Sequence, residues 1–417
     1  APGIAFRELG FKYFGPVDGH NYEELISTFE KIKQIKGARL IQVNTIKGKG
    51  YEIAEKNPAK FHGIAPFDIE TGELKSKSSN KTFSFLAGES IIEAAKENKN
   101  IVAITAAMES GTGLTEYAKI FKDRFFDVGI AEQHSITFAV GLAESGLIPF
   151  VCLYSTFLQR GYDQIIHDAC IMKANVKFMI DRSGLVPEDG DTHQGVFDIS
   201  FLRIIPNIVI MSPVFEEDFK AMVKKSIEYK GPTVIRYNKS AVRDSEKNKE
   251  NIISDNFEIG KAHIVRESHN KENIISDNFE IGKAHIVWES HNKENNKKNC
   301  IISYGQTLID IIAAINEINF DASILNLSTL KPLDEKTIID FINKSDKILI
   351  IEESLKNGGI GSAILELMAD NQIFKPVKIH ALPNKFFEVA TRGKLLELYK
   401  LDKNGLKEVI SGYFNWK

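Results

Sequence analysis

Residues 124–160, RFFDVGIAEQHSITFAVGLAESGLIPFVCLYSTFLQR, carry the pattern that decides the fold. An apolar run at 125–128 stops at Gly129, apolar positions at helical spacing then continue through Leu142, a second apolar run covers 149–154, and another helix opens near Leu158. Strand, helix, strand and helix in that order form the repeating unit of a parallel sheet. Glu132 falls in the turn where the first strand passes into its helix. In open parallel sheets ligands collect at the carboxyl ends of the strands, so this carboxylate is a candidate for chemistry. An acidic residue in a first helical turn also complements the helix dipole with no further role. Position by itself favours that plainer reading.

The same rhythm extends in both directions. Upstream, a helix at 85–98 leads to a strand at 101–107. Downstream come a helix at 158–173, a strand at 176–180, a short helix near 196–204, a strand at 208–211, a helix at 215–229 and a strand at 233–237. Strands alternating with helices at this spacing imply a parallel sheet covered on both faces, an α/β domain. A further α/β domain follows from Cys300, with strands at 300–304, 322–328, 347–352 and 376–380 and helices at 306–318, 334–344 and 359–370, then two closing helices. In it, Glu352-Glu353-Ser354 and Gly358-Gly359-Ile360-Gly361 join a strand end to a helix start. Such a layout can hold a phosphate, though it more often permits close packing.

Residues 4–70 read as the closing portion of another α/β domain. A turn at Gly15-Pro16-Val17-Asp18-Gly19-His20 precedes a helix at 21–36, for which Asn21 is the expected N-cap, with Glu23 and Glu24 in the first turn. A strand at 40–45 leads into Lys47-Gly48-Lys49-Gly50-Tyr51, two cations and two glycines in a loop whose backbone N–H groups could approach an anion. Short loops of this kind are usually solvated turns. His62, in Phe61-His62-Gly63, reads by itself as a structural hydrogen-bonding residue. Residues 73–81, ELKSKSSNK, read as a linker.

Residues 244–298 are poor in apolar side chains and contain a tandem duplication. Residues 249–270 recur as 271–292 with 21 of 22 positions identical, the one change being Arg266 against Trp288. Repeat arrays diverge and need about three units to bury a core. Two copies this close point to a recent tandem duplication or a cloning artefact. Each copy carries one strand, FEIGKAHIV, and one domain has room for one; the other copy is expected to be looped out or disordered.

Composition narrows the function classes. With 417 residues, 43% of them apolar and 26% charged, the chain is globular and long enough for two or three cores. A net charge of −3 gives no basic field for nucleic acid and no polybasic patch for a membrane surface. Apolar runs stay below the length of about 18 residues that a bilayer span requires. The three cysteines, Cys152, Cys170 and Cys300, form no CxxC pair or metal-ligand spacing, and read as buried thiols in a reducing compartment. A soluble cytoplasmic protein is expected, or one of the plastid stroma if the source bears plastids. The chain starts without Met and goes straight into patterned sequence, so residues upstream are expected.

A second chemical candidate is residues 181–194, DRSGLVPEDGDTHQ, which place Arg182, Asp189, Asp191 and His193 on one loop at a strand's carboxyl end. Arg182 could bind an anionic substrate and His193 could move protons, with a neighbouring carboxylate raising its basicity. A polar surface loop held by Asp side chains on their own backbone is the competing reading. The alternation of Asp189, Asp191 and His193 along a tight turn, with no fourth ligand, argues against zinc.

Taken together, Ile130-Ala131-Glu132-Gln133-His134, Tyr154-Ser155-Thr156-Phe157-Leu158-Gln159-Arg160, Asp189-Gly190-Asp191-Thr192-His193-Gln194-Gly195 and Lys331-Pro332-Leu333-Asp334 resemble the 1-deoxy-D-xylulose-5-phosphate synthases, thiamine-diphosphate enzymes related to transketolase. The Gly15–His20 turn and Phe61-His62-Gly63 fit the same family. The resemblance covers nearly the whole chain outside the duplication. It implies doubly wound parallel sheets of the transketolase-like thiamine-diphosphate fold with a truncated first domain: residues 1–72 as the end of the diphosphate-binding domain, 73–81 as linker, 82–243 as the pyrimidine-binding domain, 244–298 as the polar duplicated segment and 299–417 as the C-terminal domain.

The resemblance further implies condensation of pyruvate with D-glyceraldehyde 3-phosphate, with loss of carbon dioxide, giving 1-deoxy-D-xylulose 5-phosphate for isoprenoid precursors. Thiamine diphosphate and Mg2+ are the implied cofactors and a homodimer the implied assembly. Glu132 would meet the aminopyrimidine ring nitrogen and Phe157 would stack on that ring, with Tyr51 and Lys47 near the cofactor. His62, Asp189 and His193 would serve proton transfer and donor binding. Tyr154 and Arg182 would hold the acceptor's phosphate, for which the guanidinium fork is suited.

There are two departures from the family pattern. Where the family usually shows Tyr-Pro-Arg-Gly, this chain has Tyr237-Asn238-Lys239-Ser240, so Lys239 brings charge without the fork. The Gly-Asp-Gly and downstream Asn that bind diphosphate and magnesium are absent from the sequence, so no metal ligand is expected in it. Two alternatives stay open: another transketolase-like enzyme or decarboxylase β-subunit, and an inactive fragment serving as a partner module.

Overall fold

The central strands are buried along nearly their whole length, which places them inside parallel sheets covered on both faces. The computed structural model describes residues 3–58, 60–62, 64, 66–75, 81–243, 280–288 and 299–415. They fall into two compact units, residues 1–79 and residues 80–417.

In the first unit, β1 (Lys12–Asp18) and β2 (Arg39–Asn44) pair in parallel, and the crossover between them is the helix Tyr22–Ile32. Asn21 caps that helix, its side chain accepting from the Glu24 N–H. The helix ends at Ile32 instead of 36, because the chain must turn there to lay β2 beside β1. Tyr13, Val17, Ile32 and Ala54 are buried, whereas Tyr22, Ile26, Phe29 and Ile46 are exposed. Residues 73–75 do not behave as a linker: Leu74 bridges Phe67, the Asp68 N–H donates to the Glu73 carbonyl, and the Lys75 N–H donates to that of Pro66. Residues 76–80 of the expected linker lie outside the described residues.

The second unit holds two sheets. Its strands are β3 (Ile101–Thr105), β4 (Phe125–Asp127), β5 (Ile148–Tyr154), β6 (Lys177–Asp181), β7 (Val209–Met211), β8 (Thr233–Arg236), β9 (His285–Trp288), β10 (Asn299–Ser303), β11 (Ser323–Asn326), β12 (Thr329–Lys331), β13 (Lys347–Leu355) and β14 (Val377–Leu382). The first sheet has the order β12-β7-β8-β6-β5-β3-β4 and the second the order β14-β13-β10-β11-β9. Both are parallel except at one edge, where β12 lies antiparallel to β7 and β9 antiparallel to β11. The expected doubly wound architecture is therefore present with an antiparallel edge on each sheet.

The strand expected at 322–328 is shorter, β11 at Ser323–Asn326 in the second sheet, and just beyond it the chain crosses to add a strand not expected from the sequence, β12 at Thr329–Lys331, to the first sheet. The two sheets thus share a strand connection and one continuous apolar core, which includes Ile136, Leu153 and Ile180 beside Ile302, Leu325 and Ile350.

The helix expected at 158–173 is not continuous. A turn of α-helix at Ser155–Leu158 tightens to a 3-10 turn at Gln159–Gly161, resumes at Tyr162–Gln164 and widens to a π-turn at Ile165–Cys170. Gly161 packs against the helix Glu132–Glu144, where an added Cβ would fall 2.2 Å from Ile136 Cδ1. That close approach accounts for the tightening.

β9 comes from the second copy of the duplication, with His285 opposite Asn326. The first copy lies outside the described residues, as does the expectation that one copy is unstructured.

At the Gly-rich turn before the helix Ile360–Asp370 the helix N-terminus is filled from within by Glu352, whose carboxylate accepts from the N–H groups of Ile360 and Gly361 at 2.9 Å each, and from the Ser354 hydroxyl at 2.6 Å. Burial pushes the Glu352 carboxyl up, against the pull of these donors. The negative charge that suits a helix N-terminus is supplied by the protein's own side chain.

Candidate active site

The site forms where β4, β5 and β6 end. Asp127, the last residue of β4, accepts from the N–H groups of Ala107 and Gly129 at 2.8 and 2.9 Å, and Gly129 turns the chain with φ +71° into the helix Glu132–Glu144. Glu132 is thereby held at the first turn and is only 2% exposed. Among the described residues its carboxylate meets a single partner, Nη1 of Arg160, 3.4 Å from each oxygen. A buried carboxylate with one long contact has hydrogen-bonding capacity left over, which distinguishes it from a satisfied core acid.

Arg160 was not among the residues singled out from sequence, although it ends the stretch from which the fold was read. The tight turn at 159–161 brings it under Glu132, and its guanidinium also lies 5.4 Å from the Phe157 ring centre. Phe157 then links the rest of the site. Its ring stacks beside Tyr154 at 5.8 Å and meets the His193 ring edge-on at 5.4 Å. Tyr154 carries the Arg182 guanidinium on its face at 3.6 Å. Glu132, Arg160, Phe157, His193, Tyr154 and Arg182 are therefore one contiguous group, even though the sequence spreads them over three strand ends.

The 181–194 loop is built, not merely solvated. Gly184 and Gly195 exchange backbone hydrogen bonds at 2.7 and 3.0 Å, and the Gln194 carboxamide bonds both the N–H and the carbonyl of Val186. The Thr156 hydroxyl donates to the Thr192 carbonyl at 2.8 Å, tying the loop to the turn that carries Phe157. Thr192 Oγ1 also lies 2.9 Å from His193 Nδ1, which leaves Nε2 for other partners. Asp189 pairs with Lys239 at 3.0 Å, both about one-third exposed, so this bridge can open for a ligand at small cost.

Arg182 adopts φ +59°, a left-handed conformation sparsely populated by residues with a side chain, and its Nη1 donates to the Gly111 carbonyl at 2.8 Å. The preceding Asp181 is fully buried, with 3.2 Å between its carboxylate and the Arg182 guanidinium. Burial pushes the Asp181 carboxyl up to about 6, against the pull of Arg182 and Ser84. Neither of its oxygens has a hydrogen bond of good geometry. Sequence reading passed over Asp181; an acid immediately before an arginine at a strand end was the available signal. Burial also raises the Tyr154 hydroxyl, with Arg182 acting in the opposite direction.

The remaining expected site residues belong to the first unit. Tyr51 donates to the Ile69 carbonyl at 2.8 Å and packs against Phe61 and Phe67, with ring centres 5.5 and 5.9 Å away. Lys47 and His62 are exposed. Gly48 and Gly50 both take positive φ, so the Lys47–Tyr51 loop is shaped as a glycine turn. The described residues include no group of three or more His, Cys, Asp or Glu placed to hold a metal ion.

Comparison with known proteins gives a consistent picture. Residues 80–245 match the family described as transketolase, pyrimidine binding domain, residues 289–406 match transketolase, C-terminal domain, and residues 1–45 match a family described as 1-deoxy-D-xylulose-5-phosphate synthase. The 1-deoxy-D-xylulose-5-phosphate synthase of Caldanaerobacter subterraneus subsp. tengcongensis is 44% identical over 98% of this chain, and that of Halothermothrix orenii is 42% identical over 97%. The chain spans 61% and 60% of the length of these two relatives. Among solved structures, a split-gene transketolase described as an inactive β4 tetramer superimposes with TM-score 0.65 at 25% identity, covering 81% of this chain and 99% of its own. The transketolase of Campylobacter jejuni superimposes with TM-score 0.61 over 98% of this chain and 68% of its own, at 14% identity, a likeness of fold alone.

Proposed function

We propose that the chain belongs to the 1-deoxy-D-xylulose-5-phosphate synthase family of transketolase-like proteins and supplies the pyrimidine-binding and acceptor-binding parts of such an enzyme, joining pyruvate to D-glyceraldehyde 3-phosphate with loss of carbon dioxide. The observation that carries this reading is the buried, under-satisfied Glu132 carboxylate grouped with Phe157 and the His193 loop.

These residues fit the aminopyrimidine end of thiamine diphosphate. A carboxylate 2% exposed, with spare acceptor capacity and an aromatic ring nearby, suits a flat heterocycle carrying a ring-nitrogen proton. When bound, the cofactor supplies the electron sink that makes loss of carbon dioxide and formation of the new carbon–carbon bond possible. Glu132 would hold the proton on the ring nitrogen and Phe157 would pack on the ring. Arg160 would place a positive charge beside that carboxylate, 3.4 Å from each oxygen.

At the other side of Phe157, Tyr154 and Arg182 would receive the aldehyde's phosphate, with Lys239 as a second cation released from Asp189. His193 would move protons through Nε2, its Nδ1 being engaged by Thr192, and Asp189 would assist donor binding and proton traffic. Mg2+ is expected to accompany the diphosphate, held by residues other than those of this sequence. A homodimer and a cytoplasmic setting complete the proposal.

The test is product formation by the full-length protein supplied with pyruvate, D-glyceraldehyde 3-phosphate, thiamine diphosphate and Mg2+. The expected result is 1-deoxy-D-xylulose 5-phosphate, identified by nuclear magnetic resonance. Carbon dioxide release without the condensed product would instead indicate a decarboxylase.

A further inference from the structure

The C-terminal sheet reaches the loop of Asp189 and His193 through one ion pair. Arg392 makes a two-pronged bridge to Glu353, with Nη1 to Oε1 at 2.7 Å and Nη2 to Oε2 at 2.6 Å. The same two groups grip both backbone polar groups of one loop residue: the Leu185 N–H donates to Glu353 Oε1 at 2.8 Å, and the Leu185 carbonyl accepts from Arg392 Nη1 at 2.8 Å. Glu353 is buried and the Arg392 side chain is 17% exposed, so the pair is shielded from water and from salt.

Leu185 lies between Arg182 and Asp189, and neighbouring contacts make its position consequential. Gly184 has φ +80°, and a Cβ there would sit 2.5 Å from Glu353 Oε1, so the loop backbone is pressed onto the carboxylate. The Glu188 N–H donates to the Ala390 carbonyl at 3.0 Å, a second attachment from the segment just before Arg392. Val186 is then fixed by Gln194, the residue after His193. Displacement of Leu185 would pass through Val186 and Gln194 to His193, and along the chain to Asp189.

We propose that Glu353 and Arg392 are positioning residues by which the C-terminal domain sets the loop bearing Asp189 and His193, leaving the Glu132 and Phe157 side of the site to the first sheet. The kinetic part of this inference rests on the reaction proposed above; the structural part does not.

Two measurements keep the inference separate from that reading. Amide hydrogen exchange on this chain, wild type against Arg392→Gln and Glu353→Gln, should show at least tenfold faster exchange at Leu185 and Val186, with unchanged protection in β5 and β6. Unchanged exchange at Leu185 and Val186 would overturn the proposal whatever the reaction proves to be. In the full-length holoenzyme, Arg392→Gln should lower kcat at least tenfold and raise the KM for the phosphorylated aldehyde, with thiamine diphosphate affinity within twofold of wild type. Arg392→Lys, which keeps the charge but not the fork, should recover part of kcat. Equal loss of cofactor affinity and turnover, or no rescue by lysine, would mark a general folding role and overturn the positioning role. If wild-type holoenzyme forms no product while the exchange result holds, the reaction assignment fails and the clamp stands.

Discussion

Replacing Asp181 by Asn should make the protein more stable and less able to use its acceptor. Asp181 is fully buried at the end of β6, and burial raises its carboxyl from 3.8 to about 6. Because the folded value exceeds the unfolded one, the folded state keeps a proton that the unfolded chain gives up between about pH 4 and pH 6. Stability from this group is fully present below pH 4 and is lost as pH rises through 6. A shift of about two units corresponds to about 3 kcal/mol at about 1.4 kcal/mol per unit. Asn keeps the shape and removes the charge, so the variant should gain about 3 kcal/mol over wild type at pH 7.5 and little at pH 4. Asp218, also buried and pushed up to about 7, adds a slope of the same sign to both proteins and cancels in the difference. Urea unfolding at the two pH values is the assay. The cost should appear in binding: Arg182 would keep Gly111 and Tyr154 but lose its anionic neighbour, and the KM for the phosphorylated aldehyde should rise. An Asn variant that is destabilised equally at both pH values would refute the reasoning.

Other perturbations give equally specific expectations. Arg236 and Asp198 form a buried pair with contacts of 2.8 and 3.2 Å, and Asp198→Ala should lower unfolding stability by about 3–5 kcal/mol because it strands a buried guanidinium; a loss below about 1 kcal/mol in urea titration would contradict this. Since β9 is drawn from the second copy of the duplication, excision of residues 249–270 should leave the thermal midpoint within about 2 °C of the parent, roughly the shift of a sub-kcal/mol change in a chain this size. Lys177 is buried at the start of β6, donating to the carbonyls of Tyr229 and Gly231 at 2.9 Å each, and burial pulls its ammonium down to about 7. Its folded value lies below the unfolded 10.5, so this residue should make stability rise between about pH 7 and pH 10, and Lys177→Met should remove that rise in thermal scans.

Local chemistry was legible in the sequence wherever one residue type settles a geometry. Asn21 caps its helix, Gly129 turns the chain into the helix of Glu132, and the apolar runs of β3, β5 and β6 became buried parallel strands. What stayed hidden depended on partners distant in sequence. Arg160 finds Glu132 only because Gly161 allows two helical turns to touch, and Glu353 finds Leu185 across 168 positions. The Gly-rich turn at 358–361 reads as close packing or a phosphate cradle, and the group it receives is the side chain of Glu352, nine residues upstream of Gly361. Periodicity alone could not find the short β12 at Thr329–Lys331, which pairs at the edge of the first sheet, because the choice between sheets is made by tertiary packing.

In the proposed reaction Glu132 is the carboxylate partner of the thiamine ring. Carbon dioxide release from pyruvate by the full-length protein, comparing wild type with Glu132→Gln at saturating thiamine diphosphate and Mg2+, tests this most directly. The expected result is a rate at least a hundredfold lower in the variant, about 3 kcal/mol of lost barrier reduction, with an unaltered unfolding midpoint. A variant that releases carbon dioxide at the wild-type rate would contradict it.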